Sequence, residues 1–148
     1  MARLLVLAST SPFRRELLAR LQIPFEIVAP QADESALPGE NPAATARRLA
    51  EAKARAVMQR YPDALIIGSA QVAANGNARF GKPEKRENAI AQLRLMRGKE
   101  VVFHTGLCLL DSATNRVQLC CVDTHVGFRD LSDAEIESYL DKEDALNC

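Results

Sequence analysis

The sequence predicts an α/β fold built on a mixed sheet. Three observations carry this prediction. Short apolar runs alternate with cap-plus-proline helix starts through the first half of the chain. Two long strand-like stretches, about 100–110 and 116–126, then follow one another directly, which argues against an all-parallel doubly wound sheet. The 148 residues, 47% of them hydrophobic, are enough for one domain with a buried core.

Each element has a local reason. Residues 4–8, Leu-Leu-Val-Leu-Ala, read as a buried strand. Ser11-Pro12 starts a helix: serine caps free N–H groups, and proline at the first helical position gives up nothing. The spacing predicts that this helix runs through Leu21, with Leu17, Leu18 and Leu21 facing inward. Phe25 to Ala29 alternates as a second strand. Residues 30–41 are loop by composition. Asn41-Pro42 starts a helix that is expected to run to about Arg60. Tyr61-Pro62-Asp63 stops it, and Ala64 to Ser69 forms a central strand.

Residues 73–83 read as a glycine-bearing hairpin or loop. A helix is predicted over Glu84 to Arg97, with Ile90, Leu93 and Met96 as its inner stripe and Gly98 past its end. The two long strands are joined by Asp111 to Asn115. Ser132 and Glu135 have capping-box spacing before a last helix, 133–142. The order is β-α-β-α-β-α-β-β-α, with no repeats and no low-complexity linker. The chain stops at Leu-Asn-Cys with no closing element, which reads as a domain lacking its C-terminal segment.

Composition excludes several classes. Nineteen basic and nineteen acidic residues cancel, so no general nucleic-acid surface is indicated. No apolar run approaches the ~20 residues needed to cross a bilayer. The N-terminus lacks the apolar core of a signal peptide, which points to the cytoplasm. Cys108, Cys120, Cys121 and Cys148 form no C-x-x-C pair; with His104 and His125 they lack the spacing of a structural zinc site, so reduced thiols are expected.

Chemistry concentrates at strand ends. Ser9, Thr10 and Ser11 lie where the first strand feeds a helix N-terminus, which offers free N–H groups and a partial positive charge to an anion. Arg14 and Arg15 add guanidinium forks suited to phosphate. Phe13 is either a core aromatic or a ring for a base to stack on. Asp33-Glu34, in the loop after the second strand, is either solvated or part of a magnesium site. Lys53 shares a helix face with Leu49 and Val57, so it snorkels out or projects into a cleft. Lys82, between Gly81 and Pro83, is either solvated or held over a phosphate. No G-x-S-x-G, P-loop or G-x-G-x-x-G occurs. These groups suit a small polyanion.

The stretches LASTSPFRRELL, DES, EAKA, IIGSAQV, GKP and HTGL, in this order, resemble the Maf family of nucleoside triphosphate pyrophosphatases over nearly the whole chain. The resemblance implies a mixed-sheet, two-lobed α/β fold related to the inosine-triphosphate pyrophosphatases, with a cleft between lobes. It implies cleavage between the α- and β-phosphates, dependence on Mg²⁺ or Mn²⁺, and a homodimer. Under it, Ser9, Arg14 and Arg15 hold phosphates, Lys53 and Lys82 neutralise the leaving pyrophosphate, and Glu34 binds the metal or the water. Phe13 and Gln71 resemble the 7-methyl-GTP subgroup rather than the dTTP/UTP subgroup, and a cationic methylated guanine suits an aromatic face.

One position departs. The family pattern Gly-Ser-Asp-Gln-Val stands here as Gly68-Ser69-Ala70-Gln71-Val72. Ala70 occupies the place of the family's proton-accepting, metal-binding aspartate. The expectation is a chain that binds nucleotide and turns it over poorly, as either an engineered substrate trap or a naturally silent homologue. The alternatives are a non-catalytic nucleotide sensor, a dTTP/UTP-type pyrophosphatase, or an interaction protein with accidental motif matches.

Overall fold

The computed structural model describes residues 3–76, 78–143 and 146. Cys148 and Asn77 lie outside the described residues. In chain order the elements are β1 (Leu4–Ala8), α1 (Pro12–Ala19), β2 (Glu26–Val28), α2 (Pro42–Ala56), β3 (Ala64–Asn75), β4 (Ala78–Phe80), α3 (Arg86–Met96), β5 (Glu100–Asp111), β6 (Arg116–Gly127) and α4 (Asp133–Lys142). The sheet is mixed. Its strands run in the order β2-β1-β3-β5-β6, with β4 also paired to β3. β1 is parallel to both β2 and β3, and β4 is antiparallel to β3.

The chain forms two compact units, residues 1–71 with 104–122, and residues 72–103 with 123–148. The first has its core where α2 lies on the sheet: Val6, Ala8, Ala50, Ala54, Ile66 and Leu110 are essentially without solvent contact. The second packs Ala73, Met96 and Val101 against Phe80, Phe103 and Phe128. Its buried Met96 belongs to the predicted α3 stripe, with Ile90 and Leu93 half-buried beside it.

Local signals placed most helix starts. Ser11 Oγ accepts from the Arg14 N–H, Asn41 Oδ1 accepts from the Ala44 N–H, and Ser132 with Glu135 closes the full capping box. Four expectations need correction. Helix α1 ends at Ala19 and buries no residue; Leu17 and Leu21 are 58% and 63% exposed. An apolar stripe reports which way a helix is polarised, not whether another element covers it. Helix α2 ends at Ala56, and a single 3-10 turn, Met58–Arg60, finishes the segment. β3 continues past Ser69 to Asn75, and its tail pairs antiparallel with β4 through Ala73–Phe80 and Asn75–Ala78, which makes the stretch 73–83 the hairpin of the two expected forms. Helix α3 starts at Arg86 because Glu84 sits at φ 63°, a left-handed conformation incompatible with a helical first turn.

Candidate functional site

The parallel strands of the first unit deliver the candidate residues to one edge. β1 and β3 are in register up to Ala8–Gly68, so Ser9 and Ser69 are the next residues on the two strands. The Ser9 N–H donates to the Val28 carbonyl of β2 at 3.0 Å. Ligands in open α/β sheets bind outside such carboxyl ends. Ser9 is buried, and its Oγ accepts from the Ser11 N–H at 3.0 Å. Ser11 in turn caps α1. The turn is thus held by its own hydroxyls, ahead of a helix N-terminus carrying Phe13, Arg14 and Arg15.

Lys53 reaches this edge because glycines let α2 lie close to the sheet. A Cβ on Gly68 would strike the Ala50 carbonyl oxygen, and one on Gly106 would strike that of Ala46. Only the missing side chains allow the approach. Lys53 is 9% exposed. Its Nζ donates to the Ser69 carbonyl at 3.3 Å and pairs with Glu34 Oε1 at 2.7 Å. A buried ammonium needs such partners, since an unpaired charge out of water is very costly. The Glu34 side chain is 63% exposed, so the pair runs from the interior to solvent. Lysine snorkelling is therefore not what happens here.

Arg14 is half-buried on α1. Burial pulls its guanidinium pKa down, and the field of Glu34 acts against this. Ala70 is 2% exposed. Side chains alternate along a strand, so residue 70 shares the α2-facing side with Gly68. The residue before it, Ser69, accepts at its carbonyl from Lys53 Nζ of that helix.

Ser9, Arg14, Glu34, Lys53 and Ala70 therefore belong to one unit: Ser9 follows the end of β1, Ala70 lies within β3, and Glu34 meets Lys53 and acts on Arg14. Phe13 is 44% exposed, so it is not a core aromatic. Arg15 is exposed on the same helix. Gln71 Nε2 donates to Thr105 Oγ1 at 3.0 Å. Lys82 is exposed between β4 and α3 in the second unit.

For a metal, Glu34 is the carboxylate this edge presents at Lys53. Elsewhere in the first unit, ligand atoms of His104 and Cys121 lie within 4.8 Å of each other. A closed zinc site needs four such donors. Cys108 is buried, which pushes its thiol pKa up to about 11, whereas Cys120 is exposed.

Two features were not foreseen from the sequence. The close approach at Gly68 and Gly106 had a signal, since a glycine inside an apolar strand marks a site where backbone comes near. The ion pair of Glu40 with Arg48, at 2.7 Å, had none, because it depends on how the 30–41 loop folds back on α2.

A family model described as Maf-like protein matches residues 4–148. The chain belongs to the Maf-like protein family. This Maf-like chain is 54% identical over 144 residues to a protein of Methylobacillus flagellatus named 7-methyl-GTP pyrophosphatase, covering 97% of the chain and 75% of that relative. A protein of the same name from Cupriavidus metallidurans is 51% identical over 144 residues, covering 97% of the chain and 72% of the relative. Another, from Nitrosospira multiformis, is 53% identical over 147 residues, with 99% and 74% covered. Among the described residues of the Maf-like chain, no helix is long and apolar enough to cross a membrane.

Proposed function

We propose that this chain binds a nucleoside triphosphate of the 7-methyl-GTP type and belongs to the pyrophosphatases that cleave it to the monophosphate and pyrophosphate, with its own turnover held low by Ala70. The observation that carries the reading is the Lys53–Glu34 pair, with Lys53 on the Ser69 carbonyl where the β1–β3 register ends and Arg14 in the field of Glu34. The names of relatives at 51–54% identity supply the substrate class.

The roles follow from the chemistry of each group. The Ser9–Ser11 turn and the N-terminus of α1 offer N–H and hydroxyl donors to phosphate oxygens. Arg14 and Arg15 add paired donors in fixed geometry. Lys53, already desolvated, neutralises charge that builds on the departing pyrophosphate. Exposed Phe13 stacks on the cationic base, and Gln71 contributes to base selection. Glu34 would hold Mg²⁺ or Mn²⁺ together with phosphate oxygens, a donor set that suits a hard cation needing one or two carboxylates. Such an ion, when bound, screens the phosphate charge. Ala70 can neither accept a proton nor add a second carboxylate.

Calorimetric titration tests this reading. The chain with Mg²⁺ should bind 7-methyl-GTP more tightly than GTP or dTTP, and Phe13→Ala should remove that preference. No binding of any of the three contradicts it. A second reading, a sensor that binds without hydrolysing, is favoured by Ala70 itself. It predicts that restoring aspartate at residue 70 leaves turnover absent.

A further inference from the structure

We infer that Arg48 and Glu40 are positioning residues for this site: they pin the 33–40 loop onto α2 so that Glu34 is delivered to Lys53. The inference rests on the function proposed above.

The clamp is dense. Arg48 grips the Glu40 carboxylate with two donors, Nε at 2.7 Å and a terminal nitrogen at 3.0 Å. That terminal nitrogen also donates to the Ser35 carbonyl at 2.8 Å. The Ser35 N–H in turn donates to Asp33 Oδ1 at 2.9 Å. The residue that follows Glu34 is therefore held at both its N–H and its carbonyl. Glu40 Oε1 accepts further bonds from the Leu37 N–H at 3.2 Å and from Thr45 Oγ1 at 2.7 Å. The Glu40 side chain is only 11% exposed. Its partners, Arg48 first, draw its pKa down to about 2, so the clamp stays charged at any working pH.

The geometry makes α2 a ruler. Arg48 and Lys53 stand on the same helix, five residues and about 7.5 Å of axial rise apart. The loop is fastened at Arg48, and its glutamate meets the helix again at Lys53. The coupling runs through one peptide link, Glu34–Ser35. Lysine at residue 48 could not reproduce it, because a single ammonium lacks the planar fork that reaches a carboxylate and a carbonyl together.

Lys53 reports on the clamp without any ligand. Its acetylation by a water-soluble amine reagent is followed by peptide mass spectrometry well below the melting temperature, with exposed Lys82 as internal reference. Glu34→Gln should raise Lys53 labelling about fivefold, Arg48→Ala and Arg48→Lys should do the same, and Glu34→Gln combined with Arg48→Ala should add little, as for residues acting through one contact. If Arg48→Ala fails to fold, Glu40→Gln preserves shape and asks the same question. A clamp that only stabilises the fold would lower the melting temperature and leave Lys53 labelling at its parental rate, and that overturns the inference. So does full additivity, or Glu34→Gln without effect. In parallel, affinity for 7-methyl-GTP with Mg²⁺ should fall alike in Arg48→Ala and Glu34→Gln. A parent that binds no nucleotide would sink the proposed function, while the labelling would still decide the clamp.

Discussion

Lys53 is tied to Glu34 by a 2.7 Å ion pair in which the lysine is almost out of water and the glutamate faces it. The asymmetry has an energetic meaning. Removing the glutamate takes the counter-charge from a buried ammonium that keeps the Ser69 carbonyl, whereas removing the lysine leaves a carboxylate that water can solvate. Lys53→Met keeps most of the stem's packing and deletes the charge. It should leave the denaturant midpoint unchanged or slightly raised. Binding of 7-methyl-GTP should weaken by about tenfold or more, the worth of a charge-assisted hydrogen bond to phosphate. Paired denaturation and titration curves check both halves.

Glu40 makes a pH prediction. Its folded pKa is depressed from the ordinary 4.5 to about 2, chiefly by Arg48 and Thr45. A carboxyl depressed on folding stabilises fully above its unfolded pKa and loses that contribution as pH falls through the folded one. Glu40→Gln should therefore flatten the dependence of stability on pH between about 4.5 and 2 and lower stability at neutral pH. Urea melts at stepped pH measure it. Parallel pH curves for parent and variant would show that the pair contributes nothing on folding.

Gly68→Ala should cost about 3 kcal/mol or prevent folding, because the new methyl meets the α2 backbone rather than a flexible side chain. Gly81→Ala, at a position with open space around it, should change the midpoint little. Equal effects at the two positions would refute the close approach of α2.

The thiols separate by burial. Cys120 should react with a maleimide at pH 8 within the native state, while Cys108, with its pKa near 11, should react only on unfolding. Peptide mapping distinguishes them.

How far the fold could be read in advance depended on how local each cause was. Ser11-Pro12, Asn41-Pro42 and Ser132 with Glu135 announced their helices because a cap is made by residues three apart. Lys53 was legible as an oddity on an apolar face, but its burial was not, since that depends on glycines in two other strands. Leu17 and Leu21 misled because periodicity says nothing about what lies opposite. The start of α3 moved by two residues on one backbone angle at Glu84, which composition does not encode. The Arg48 clamp joins residues 8 and 13 positions apart through a loop of irregular shape, and no periodic pattern reveals such a return.

Under the proposed function, Ala70 in place of an aspartate is what holds turnover low. Ala70→Asp places a carboxylate in a buried strand on the α2 side, so without metal it should lower the melting temperature, and Mg²⁺ should restore part of the loss. The decisive measurement is pyrophosphate release from 7-methyl-GTP with Mg²⁺ by the parent and by Ala70→Asp. The variant should be faster by about 10²-fold or more, the typical contribution of a general base. A variant as inert as the parent, or a parent already turning over rapidly, contradicts the account.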